Sequence, residues 1–73
     1  MNDVRKDAVV IERAAGNYSA YVSDLPGCIS VGDTVEDTER NIREAIALLL
    51  VGLREAGDPV SEPSTVVKYV EAS

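Results

Sequence analysis

The chain contains no histidine, no tryptophan and no phenylalanine. Without histidine it lacks the commonest general base, the commonest zinc ligand and the usual activator of a serine or cysteine nucleophile. Its single cysteine, Cys28, rules out an intramolecular disulfide. A lone thiol with no disulfide framework suits a reducing compartment, so a cytoplasmic location is expected. Long apolar runs are also absent. The longest spans residues 45–51 and then meets Gly52, which is too short for a bilayer crossing, so no membrane association is expected. The first fifteen residues carry charges throughout and lack the apolar core of a secretion signal. Gly27, Gly32 and Gly52 form neither a dinucleotide fingerprint nor a phosphate-binding loop, and no cofactor is expected.

What remains is a short, acidic, aliphatic chain. Its 73 residues allow one domain, 1–73, with a flexible N-terminus over residues 1–6. Apolar residues make up 45% of it, enough to fold, but a core this small is marginal alone. Association into a homo-oligomer, a dimer or tetramer, is therefore expected. The net charge of -6 repels phosphate backbones and argues against nucleic-acid binding by this chain alone. A small basic protein is the better electrostatic match for a partner.

Residues 7–14 are rich in β-branched side chains and predict a strand. Gly16 and Asn17 supply turn chemistry, and residues 18–23 alternate as a second strand in a hairpin with the first. Leu25-Pro26-Gly27-Cys28 suits a tight turn, because proline fixes its φ and the next glycine permits a positive one. Residues 28–31 predict a short third strand that ends at Gly32 and Asp33. Thr34 is the natural N-cap of a helix over 35–56, with Gly57 as its terminator. Val35, Thr38, Ile42, Ala45, Ile46, Leu49, Leu53 and Ala56 recur at three- and four-residue steps along it. Residues 65–71 predict a last strand. The fold class is α+β in the order β-β-β-α-β, an antiparallel sheet with one long helix packed on one face.

One helix covers only one face of a sheet. Small side chains permit close approach, so Cys28 and Ser30 are expected beneath the helix, with Ala20 and Val22 packing inward. That leaves Tyr21, Ile29 and Val31 on the open face. Leu48, Leu50 and Val51 lie off the main helical stripe and predict a second excess of apolar surface. These six residues form the expected partner or self-association surface.

No catalytic or metal-binding residue is expected, and the chain is read as a non-enzyme. The carboxylates Asp7, Glu12, Asp24, Asp33 and Glu36 are the candidates for a metal-dependent nuclease, a remote alternative, but the turn and helix-start positions give Asp24, Asp33 and Glu36 ordinary structural roles. Arg40, Arg43 and Arg54 are too interleaved with glutamates to track a phosphate backbone. Arg40 and Glu44 have the spacing of a solvated helical pair.

The stretch from Tyr18 to Pro63 resembles the HicB family of bacterial and archaeal antitoxins. Its carrying residues are Tyr18-x-Ala20, Asp24-Leu25-Pro26-Gly27-Cys28 and Gly32-Asp33-Thr34. To these are added Asn41-Ile42, Glu44-Ala45-Ile46 and Gly57-x-Pro59-Val60-x-x-Pro63. The resemblance implies a partial RNase H-like fold without catalytic carboxylates. It also implies a function: to bind and neutralise a small basic HicA-type ribonuclease toxin. The alternative is an orphan homo-oligomer with no toxin partner. Leu25, Pro26, Gly27, Cys28, Gly32, Asp33 and Thr34 read as structural motif residues. Full HicB antitoxins often add a C-terminal DNA-binding domain, for which residues 58–73 offer no second helical pattern. Thr38 stands where the family usually has alanine, a difference expected to affect packing.

Overall fold

A computed structural model describes residues 5–72 of the chain. Three strands, β1 (Val9–Ala14), β2 (Asn17–Val22) and β3 (Ile29–Gly32), precede one helix, α1 (Val35–Ala56). The strands form an antiparallel sheet in the order β1-β2-β3. Of the segment 1–6, residues 1–4 lie outside the described residues, and Arg5 is half-buried with its guanidinium 2.8 Å from Asp7.

Ala15 and Gly16 join β1 to β2, and Gly16 takes the positive φ that this short link needs. The register pairs Val9 with Val22, Ile11 with Ala20 and Arg13 with Tyr18. Between β2 and β3 it pairs Ala20 with Ser30 and Tyr21 with Ile29. Strand side chains alternate between faces, so Val9, Ile11, Ala20, Val22 and Cys28 turn toward the helix. Ala20, Val22, Leu25, Cys28 and Ile42 form the buried core, with Val9, Ile11, Ala45, Ile46, Leu49 and Leu50 packed around it. Cys28 and Ala20 do lie beneath α1, as small residues at a close approach require.

The β2–β3 connection is a closed loop. Val22 N–H donates to the Cys28 carbonyl, and Cys28 N–H donates to the Leu25 carbonyl at 3.1 Å. With Pro26 second and Gly27 at φ +83° third, residues 25–28 make a type II turn. Leu25 is folded under it into the core.

The helix begins and ends as its sequence dictates. Thr34 Oγ1 accepts from the Asp37 N–H at 3.0 Å, which satisfies an otherwise orphaned donor. At the other end Gly57, at φ +73°, donates its N–H to Arg54, and Asp58 donates to the Leu53 carbonyl at 2.9 Å. This pair of bonds is a Schellman motif. Gly32 is needed for a different reason: a Cβ there would lie 2.6 Å from the backbone nitrogen of Thr38. The first turn of α1 therefore rests directly on the end of β3. Thr38 is fully buried, its hydroxyl donating to the Thr34 carbonyl at 2.7 Å.

The expected fifth element is not a strand. Residues 58–72 run without regular secondary structure, and 65–71 pair with nothing in the described chain. Their β-branched composition is that of a strand, but a strand needs a ladder partner, and none is supplied here. Among the described residues this segment is held at Ser64 and Thr65. Asp24 accepts from the N–H groups of Ser64 and Thr65, both at 3.1 Å, and from both hydroxyls.

Candidate functional site

The face of the sheet turned away from α1 carries Val10, Tyr21 and Ile29 in a row across all three strands, since Val10 pairs with Tyr21 and Tyr21 with Ile29. One step along lies a second row of Glu12, Ser19 and Val31. Ile29 is 65% exposed and Val31 54%, with Tyr21 somewhat less. Tyr21, Ile29 and Val31 are thus brought together as the sequence implied. Val10 and Glu12 complete the patch, and strand alternation counted from Tyr21 across the hairpin is the signal that finds them.

Leu48 and Val51 are exposed too, but they belong to a different surface. They lie on the helix face opposite Ile42, among Glu44 and Glu55, so a helix and a sheet separate them from Ile29. Leu50 is a correction to the sequence reading. It is half-buried against the core, because it follows Ile42 and Ile46 at four-residue steps on the inward stripe. The six expected surface residues therefore resolve into a sheet patch, a helix pair and Leu50, which is half-buried against the core.

The motif residues have structural work. Leu25 and Cys28 are buried, Pro26 and Gly27 shape the turn, Gly32 admits Thr38, and Thr34 caps α1 after the exposed Asp33. Burial pushes the Cys28 thiol up from its ordinary value, with Asp7 adding to the effect, which disfavours the reactive thiolate. Backbone hydrogen bonding from Thr65 foremost holds the Asp24 carboxyl below its ordinary value. On the helix Arg40 pairs with Asp37 rather than Glu44, and Arg43 pairs with Glu39 at 2.9 Å. Each acid lies N-terminal to its base, the orientation the helix dipole favours. Among the described residues, no three of Cys, Asp and Glu are placed to hold a metal ion. Nor is any helix among them long and apolar enough to cross a membrane.

Fold and surface together define a small α+β domain with an open, partly apolar sheet face. Residues 8–73 match the family described as the HicB_like antitoxin of bacterial toxin-antitoxin systems. The chain belongs to this antitoxin family. It is 49% identical over 64 residues to a UPF0150 protein of Helicobacter pylori, covering 85% of this chain and 88% of that one. A UPF0150 protein of Synechocystis is 42% identical over 53 residues, covering 73% and 67%. An uncharacterized 14.9 kDa protein of Haemophilus phage HP1 is 31% identical over 62 residues, or 85% of this chain. The present chain spans about half of that phage protein, 47% of its length.

Proposed function

We propose that this chain binds and neutralises a small basic HicA-type ribonuclease toxin in the cytoplasm, acting as a masking partner and not as an enzyme. Membership of the antitoxin family over residues 8–73 carries the reading. The excess of acidic over basic residues supports it, because opposite charge steers encounter with a basic protein. We place the contact on the open sheet face. Tyr21, Ile29 and Val31 supply a rigid apolar centre and Glu12 a charged rim, the anatomy of an interface hot spot.

The test is a tagged pull-down from native lysate, followed by titration of the captured protein's RNA cleavage. One small basic protein, inhibited at equal stoichiometry, is the expected result. Ile29→Asp should weaken that inhibition by about tenfold or more while leaving the fold intact, because the side chain already faces solvent. Recovery of nothing but further copies of the chain would instead favour an orphan homo-oligomer. The exposed apolar segment after residue 65 is the observation on that side.

A further inference from the structure

The two edges of the sheet are finished differently. Ala8 accepts from the Ser23 N–H, so Ala8, Val10, Glu12 and Ala14 bond to β2. The alternation turns the N–H and C=O groups of Val9, Ile11 and Arg13 outward, at the free edge of β1. On β3 the same logic turns Ile29 and Val31 outward, and there Asn41 reaches from the helix to donate to the Val31 carbonyl at 2.8 Å. No side chain or loop backbone of the described residues does this for β1. Beside that open edge a groove of about 450 Å³ runs between β1 and α1, lined half by Val9, Ile11, Ile42 and Ile46 and half by charged side chains from the chain start and the helix.

The segment 65–71 has the opposite defect. It begins at the Asp24 anchor and then makes no backbone hydrogen bond to the described chain. Val66, Val67, Tyr69 and Val70 are all exposed, Tyr69 almost completely. The family match runs through these residues, so they belong to the shared domain and are not an appendage to it.

We propose that residues 65–71 form the missing edge strand on β1 of a second copy of this chain, exchanged reciprocally in a two-fold dimer. Edge and strand are complementary in pattern. In an extended segment Val66, Lys68 and Val70 share one face, and Val67 and Tyr69 share the other. On β1, Val10 and Glu12 share the open face, and Val9 and Ile11 face the groove. Setting Lys68 opposite Glu12 places a valine opposite Val10 in either strand direction. It also puts Val67 or Tyr69 opposite Ile11, over the groove. Because donor strand and acceptor edge lie on the same chain, reciprocal exchange satisfies both vacancies in one closed assembly. It also removes an exposed edge that would otherwise template aggregation. The exchange does not depend on a toxin being bound.

The test is light scattering on the purified full-length chain, coupled to hydrogen exchange. A dimer with slowed exchange at the amides of 66–71 and at Ile11 is expected. Val67→Asp with Tyr69→Asp should give a monomer of unchanged helical content, since both side chains are solvent-exposed in the single chain. Lys68→Glu or Glu12→Lys should each weaken the dimer about tenfold, because the pair occurs twice per dimer, and the double reversal should restore it. Three results would overturn the proposal: a wild-type monomer, a dimer indifferent to the tail variants, or protection of 66–71 that appears only when a foreign basic protein is added.

Discussion

The two halves of α1 have different surroundings. In the first half Thr38 and Ile42 are sealed, and the helix start is pinned by Thr34 and seated on Gly32. In the second half no residue is fully buried: Ile46, Leu49, Leu50 and Leu53 are half-covered, and Leu48 is 74% exposed. Length is the reason. A helix of 22 residues is about 33 Å long, whereas a strand of six residues spans about 20 Å. The helix overhangs the sheet, so an apolar stripe that runs its full length cannot be buried along all of it. Tight packing at one end fixes the fold, and incomplete packing at the other leaves apolar surface exposed.

Substitutions can break this contrast, beginning with the sealed half. Ile42→Ala should cost about 2–5 kcal/mol, because it removes a side chain that is 1% exposed from the centre of the core. A drop in denaturation midpoint at constant slope would be the signature. Gly32→Ala should follow at about 1–3 kcal/mol, since the new methyl collides with the Thr38 backbone and not with a flexible tip. A variant that melts with the parent would mean that the helix start can lift from β3 at no cost. Thr34→Ala removes one cap bond and should cost about 1 kcal/mol, read from thermal unfolding. In the open half Leu48→Ala should stay within about 0.5 kcal/mol. A larger loss that grows with protein concentration would place Leu48 in an interface between copies.

The Asp24 anchor is a pH-dependent contact of this chain. Its carboxyl is held below the ordinary value by hydrogen bonds from Thr65 and Ser64, so it binds its proton less readily in the folded chain than in the unfolded one. The stabilisation is therefore fully present above the unfolded carboxylate value of about 3.9, and is lost as pH falls through the lowered folded value. Amide resonances of Ser64 and Thr65 should shift at that acid step, and Asp24→Asn should remove it. Movement of these amides near neutral pH would contradict the anchor.

Elements whose signals are local were legible in the chain. The helix over 35–56, its cap at Thr34 and its stop at Gly57 depend on residues a turn apart, and they stand where the sequence put them. The hairpin and the Leu25–Cys28 turn follow in the same way from Gly16, Pro26 and Gly27. Strand alternation also separated the buried Ala20, Val22 and Cys28 from the exposed Tyr21, Ile29 and Val31. Leu50 lies at the margin of the helical stripe, so its half-burial is settled only when the helix docks on the sheet. The fifth strand was misread for a related reason. Composition gives residues 65–71 the capacity to pair, but pairing is a property of two segments, and the second is not encoded nearby.

The sequence by itself determined the helix with its cap at Thr34 and its stop at Gly57, the hairpin, and the Leu25–Cys28 turn. Local backbone sterics, capping and side-chain period suffice for that. Only the tertiary structure decided that Gly32 must lack a side chain to admit Thr38, and that among the described residues Asn41 caps the Val31 carbonyl on the β3 edge while no side chain caps β1. Those outcomes depend on close packing and on the count of hydrogen-bond partners between residues far apart in the chain, and no local pattern records them.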